Sequence, residues 1–130
     1  MSSEEFKESL EQATSVYNEI CDMARLILRR ALPNVEPLQR SNSHFSPRLM
    51  GMMCSQAQNN LSALERERLG AFLEYVEEIG ILLFAGQVAL KDSTPNVDLA
   101  TETQKWREVT ERLQCMSVQL HEMLERPTNP

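Results

Sequence analysis

The sequence predicts an all-α fold, an antiparallel helical bundle of three long helices plus one short helix. Three observations carry that prediction. The 130-residue chain has only 4 Gly and 6 Pro, too little material for the many turns of a β sandwich or barrel. Glu, Leu, Ala, Gln, Arg and Met are abundant, and all favour helix. Apolar residues also recur in alternating steps of three and four along three stretches of similar length, the spacing of helices packed lengthwise.

The first stretch opens on Ser2 with Glu5 three residues on, the spacing of a capping box. Its seam is Phe6, Leu10, Ala13, Tyr17, Ile20, Ala24, Ile27 and Ala31. Arg29 and Arg30 complement the carbonyl end, and Pro33 stops the helix, giving a span near 3–32. Past Ile20 the apolar residues spread around the cylinder, so this half should be covered from more than one side. Residues 33–45 read as a linker, because Pro33, Asn34, Pro37, Ser41, Asn42 and Ser43 favour turns. Ser46-Pro47 then reads as a helix start, with a short helix over 47–59 placing Met50, Met53, Cys54 and Ala57 on one face.

Ser62 followed by Glu65 repeats the capping-box spacing, which favours a break near Asn60 over one helix from 47 to 91. The helix over 62–91 carries the seam Leu69, Phe72, Val76, Ile79, Leu83, Gly86 and Leu90. Its run Ile79 to Ala85 is read as the most central turn of the bundle, with Gly80 and Gly86 permitting close approach. Asp92 to Asn96 form a turn. The last helix, 98–126, shows Leu99, Trp106, Val109, Leu113, Met116, Leu120 and Met123, and the tail 127–130 is expected to be disordered. Each long helix spans roughly 45 Å at ~1.5 Å per residue, and matched lengths suggest antiparallel neighbours. Residues 1–130 thus read as one domain.

Composition narrows the function classes. Hydrophobic content of 42% with 25% charged residues is that of a globular chain. A net charge of −6 argues against a general nucleic-acid binder, which needs cations to displace phosphate counterions. The charge is uneven, however. Residues 1–24 hold six acids against Lys7, whereas Arg25, Arg29, Arg30, Arg40 and Arg48 face only Glu36 within 25–48, a local basic patch suited to an acidic protein partner. Cys21, Cys54 and Cys115 are odd in number and widely spaced, which reads as buried thiols in a reducing compartment rather than a disulfide framework or zinc site. The polar, acidic start is unlike a signal or transit peptide, and Ile79–Ala85 is far short of the ~20 apolar residues that cross a bilayer. The expected location is intracellular, cytoplasmic or nuclear, with no membrane span.

No motif carries chemistry with specificity. Three residues before His44 and His121 stand Ser41 and Val118, so neither forms the Glu-x-x-His pair of a di-iron bundle. His121-Glu122 lacks the second histidine of a zinc-protease helix. Cys115 and His121 are six apart on one helix and fall on different faces, while Cys54 and His44 are joined by a loop of unknown path. The glycines are isolated, and paired acids such as Glu65 with Glu67 and Glu77 with Glu78 read as solvated faces. No catalytic residue, metal or cofactor is expected. Arg66, Arg68, Arg107 and Arg112 could line an anionic-substrate pocket, but they alternate with Glu65, Glu67, Glu108 and Glu111, the pattern of surface ion pairs.

What remains points to protein partners. Phe45, Leu49, Met50, Met52 and Met53 crowd one short segment, and methionine is over-used at adaptable binding surfaces. Met52 falls off the face made by Met50, Met53 and Ala57. Packing of the short helix on both faces is the competing explanation. With Arg25, Arg29 and Arg30 these residues form the candidate partner-binding set, and Ser43 and Ser46 are candidate phosphorylation sites. The expected function is a non-catalytic protein–protein interaction module, an adaptor or scaffold subunit of a larger intracellular complex that binds partner helices through an apolar seam or groove. Its partners would be acidic or helical proteins, a second copy among them. Two alternatives stand beside it: a groove-bearing helical regulator of the cell-death-regulator kind, and a small all-helical enzyme acting on an anionic metabolite.

Overall fold

In a computed structural model the structure describes residues 3–40, 44–92 and 98–125, and among these it is all-helical. Five α-helices follow in order: α1 (Ser3–Ala31), α2 (Glu36–Gln39), α3 (Pro47–Met53), α4 (Ala63–Asp92) and α5 (Leu99–Glu125). The expected first capping box involves Ser2, and the expected disordered tail is 127–130; both lie outside the described residues, as do most of the residues of the turn before α5. The second capping box is present. Ser62 Oγ accepts from the Glu65 N–H at 3.1 Å, and Glu65 Oε1 accepts from the Ser62 N–H at 3.0 Å. Asp98 caps α5, its Oδ1 accepting from Ala100 N at 3.2 Å.

Two connections differ from expectation. The segment 33–45 contains a helical turn, α2, because Pro37 in its first turn has the fixed φ that suits a helix start. The short helix is α-helical only to Met53 and tightens into a 3-10 turn over Cys54–Ala57. There the chain breaks, and Asn60 Nδ2 donates to Ala31 O at the end of α1, tying the break to a carbonyl left free by helix termination.

The helix α1 lies between the other two long helices. Gly80 and Gly86 of α4 face Tyr17 and Leu10 of α1, so α1 and α4 run in opposite directions. Arg107 pairs with Glu5 and His121 with Glu19, so α5 runs in the same direction as α1. The closest helix pair is α1 with α5; α4 packs on α1 and α3 and scarcely approaches α5. Small residues explain the intimacy of α1 and α5. Ala13 and Ala24 on α1, and Thr103, Thr110 and Ser117 on α5, are all buried and let the backbones come close. Thr103, Thr110 and Ser117 stand seven apart beside Trp106, Leu113 and Leu120, so the α5 seam includes a polar row that apolar periodicity does not register. Thr110 Oγ1 donates to Trp106 O at 2.9 Å, which removes the cost of burying it.

The core is continuous from Phe6 and Trp106 at one end to Leu32, Leu38 and Leu61 at the other. The C-terminal half of α1 is covered by α2 and α3 as well as α5, which buries Met23 and Leu28 off the original seam. One expectation fails. The run Ile79 to Ala85 is not the centre of the bundle, because Ile81 is 64% and Phe84 71% exposed. Only Ile79 and Leu83 of that run are buried hydrophobic side chains.

Candidate functional site

That exposed half of α4 borders an open groove of about 820 Å³ between α1, α4 and the segment leading into α3. One wall is α1, with Tyr17, Asn18, Cys21, Asp22 and Arg25 on turns stacked along the helix. The other is α4, with Glu77, Gly80, Ile81 and Phe84. His44, Phe45, Ser46 and Pro47 line the groove between them, together with Met50 beneath, which is only 1% exposed. The apolar surface therefore includes a buried floor residue and a solvated rim.

Gly80 shapes the wall. A Cβ there would stand 2.7 Å from Tyr17 Oη and 3.1 Å from two of its ring carbons. The missing side chain lets the end of the Tyr17 ring approach α4 closely. Burial pushes the Tyr17 hydroxyl up to about 12, and the neighbouring Cys21 and Glu77 add to the shift. Burial likewise pushes the Cys21 thiol up to about 11; a hydrogen bond with Tyr17 opposes this, while Asp22 and Glu77 reinforce it. Burial thus favours the neutral form of both groups and works against a Cys21 thiolate in the groove that His44 also lines. Glu77 turns its Oε2 onto the Arg48 backbone N–H at 3.1 Å, which fixes the carboxylate against the start of α3. Among the described residues no group of three or more His, Cys, Asp or Glu side chains could hold a metal ion. No described helix is long and apolar enough to cross a membrane.

The residues singled out from the sequence are divided by the fold. Phe45 and Met50 belong to the groove, Met50 as core rather than exposed surface. Met53 is partly buried against the core. Leu49 is exposed, and Met52, 65% exposed, borders a second depression of about 460 Å³ with Gly51, Gly70, Glu74 and Glu78. Ser46 is the N-cap of α3 and accepts from Leu49 N at 3.1 Å. Ser43 lies outside the described residues.

Of the three clustered arginines, only Arg25 lines the groove. Arg29 donates through Nε to Leu38 O at 2.9 Å and through Nη2 to Arg40 O at 3.4 Å. Arg30 donates through Nη1 to Leu124 O at 2.6 Å. These two cations hold the carbonyl ends of α2 and α5. Cys54 is buried with its thiol on Met50 O, and Cys115 is exposed. Sequence reasoning anticipated a close approach at Gly80 but missed Ile81 and Phe84 as parts of a surface. The signal for them is a second apolar stripe on α4, Ile81, Phe84, Ala85 and Val88, offset from the buried seam.

Compared with protein-family models, curated proteins and solved structures, the chain matches none.

Proposed function

We propose that this protein is a non-catalytic interaction module, an adaptor or scaffold subunit of an intracellular complex, and that it receives a partner helix in the groove between α1 and α4. The observation that carries the reading is the pairing of an exposed apolar rim, Ile81 and Phe84, with the buried floor residue Met50. An amphipathic helix laid in such a groove buries its own apolar face while its polar face stays wet. Aromatic side chains are common anchors of such interfaces. Covering the exposed parts of Phe84 and Ile81 contributes about 3 kcal/mol together, roughly a hundredfold in affinity. A regulator of the cell-death-regulator kind would use the same surface in the same way.

An enzyme for an anionic metabolite lacks comparable support. Arg107 is paired with Glu5 at the start of α1, whereas Arg66 follows the break that Asn60 ties to the end of α1. Neither they nor Arg68 and Arg112 line the groove. Arg25 on one wall and Asp22 and Glu77 beside it give the groove mixed charge, which suits a peptide better than a small anion. The test replaces Phe84 and Ile81 singly by Asp. Binding of a hydrophobic dye and recovery of native partners should both fall, with helicity and melting of the monomer unchanged. Undiminished recovery of partners by both variants would remove the groove from the reading.

A further inference from the structure

Along the open side of α4, Glu74, Glu77, Ile81, Phe84, Val88 and Lys91 recur in steps of three and four, the repeat of a coiled-coil seam. The seam that packs on the rest of the protein, through Leu69, Val76, Ile79 and Leu83, is a different one. Ile81, Phe84 and Val88 on the open stripe are 64, 71 and 41% exposed, and Glu74 and Lys91 are exposed as well. The helix therefore carries two seams, one packed on the rest of the protein and one mostly exposed but met at Glu77 by the start of α3.

We infer that the occupant of the second seam is α4 of a second copy of this chain, paired antiparallel across a two-fold axis lying between Ile81 and Phe84. The inference rests on the groove reading and names the partner for that surface. Charge decides the direction. Parallel pairing would set Glu74 on Glu74, Glu77 on Glu77 and Lys91 on Lys91, three layers of like charge. Antiparallel pairing sets Ile81 on Phe84 of the second copy twice at the centre, Glu77 on Val88 outside it, and Glu74 on Lys91 at each end. Every layer is then apolar, mixed or oppositely charged. The one acid close to the centre, Glu77, already has its carboxylate turned aside onto Arg48 N. Exposed Ala85 flanks the central layers and leaves room for the helices to approach. Such a contact is isologous: the same stripe serves both copies and the assembly closes at two. With α1 antiparallel to α4 in each copy, the contact would bring two helix pairs together as a four-helix arrangement.

Sedimentation velocity on the full chain over a wide concentration range tests this. The expected result is a reversible monomer–dimer equilibrium. Phe84→Asp should weaken it by roughly a hundredfold or more, since two copies of Phe84 are lost per dimer. Lys91→Glu should weaken it about tenfold, because two attractive end pairs become repulsive. The charge swap Glu74→Lys with Lys91→Glu should return the dissociation constant to within a fewfold of the original. A chain that stays monomeric throughout would overturn the inference, as would a dimer indifferent to Phe84→Asp or a Lys91→Glu defect that the swap does not repair. If the chain is monomeric but its dye binding and partner recovery still depend on Phe84, self-pairing falls and the groove reading stands. If neither depends on Phe84, both fall.

Discussion

Replacing Gly80 by Ala sets two well-characterised effects against each other at one atom. In a helix interior Ala is favoured over Gly by about 1 kcal/mol. The added methyl, however, would stand 2.7 Å from Tyr17 Oη and 3.1 Å from Cε2 and Cζ. Those ring atoms move only together, and Tyr17 is already packed against the core, so the ring must swing out of its seat. Overpacking of this kind costs about 1–3 kcal/mol. The net effect of Gly80→Ala is thus between neutral and about 2 kcal/mol destabilising. Gly70, on the same helix, supplies the control, because nothing lies within 4 Å of its added Cβ. Gly70→Ala should stabilise by about 1 kcal/mol, or raise the melting temperature by about 4 °C. The sharper quantity is the coupling between positions 17 and 80. In a Tyr17→Ala background the clash is gone, and Gly80→Ala should regain the full helix preference, giving a coupling of roughly 1–3 kcal/mol. Urea unfolding followed by circular dichroism, at one low protein concentration to keep self-association constant, measures all four corners of the cycle. If Gly80→Ala stabilises as much as Gly70→Ala, with no coupling to Tyr17, the close approach that shapes the groove wall is not there.

Other expectations follow from the same geometry. Ser46→Ala and Ser62→Ala each remove a side chain that accepts a hydrogen bond from a helix's first turn, at 3.1 Å in both cases. Each should lower stability by about 1 kcal/mol in the same unfolding assay, whereas Gly at either position should cost only a few tenths. Met50→Ala should destabilise by about 2–5 kcal/mol, because Met50 is core; Met52→Asp should leave melting within about 0.5 kcal/mol of the original while weakening any complex that uses that face. Tyr17 and Cys21 hold their protons more tightly folded than unfolded, with values raised from 10.0 to about 12 and from 9.0 to about 11. Their contribution is fully present below the unfolded values and is lost as pH rises through the folded ones, so stability should fall between about pH 9 and 12. Tyr17→Phe with Cys21→Ser should flatten that slope, and an unchanged slope would show that other groups set it. Maleimide labelling of the folded protein should modify exposed Cys115 well before Cys21 or buried Cys54.

The elements of the fold were legible because each long helix announces itself twice, by periodicity and by an end signal. For α4 the end signal is Ser62 with Glu65, whose reciprocal bonds are in place. The turn of helix at Glu36–Gln39 was hidden because Pro37 reads as a breaker until Arg29 and Gln39 are seen tying the segment to the end of α1. The buried row Thr103, Thr110 and Ser117 was hidden for a different reason. Its residues are polar by type, and only the closeness of α1 makes small size matter more than hydrophobicity. Helix order in space was not legible either. Matched lengths suggested antiparallel neighbours without saying which pairs touch, and α1, with apolar residues spread around its second half, is the helix that packs against both others.

The candidate groove was only partly legible in the sequence, and the division is instructive about what hydrophobicity in a sequence means. The segment from Phe45 to Met53 attracted notice for its methionines, and the fold consumes Met50 in the core while leaving Met52 out. The arginines attracted notice for their charge, and two of the three are engaged by backbone carbonyls. By contrast, the densest apolar run in the chain, Ile79 to Ala85, looked like pure core. It is apolar on two opposite sides, and a single chain of this size supplies enough neighbours for only one of them. A helix that is hydrophobic all round demands exclusion of water all round, and the sequence does not say whether its own chain or another will provide it. Here Ile79 and Leu83 are covered from within, while Ile81, Phe84 and Val88 are not. Glu74 at one end of the uncovered stripe and Lys91 at the other would complement the charges of a second α4 running the opposite way, which is what the proposed self-pairing requires.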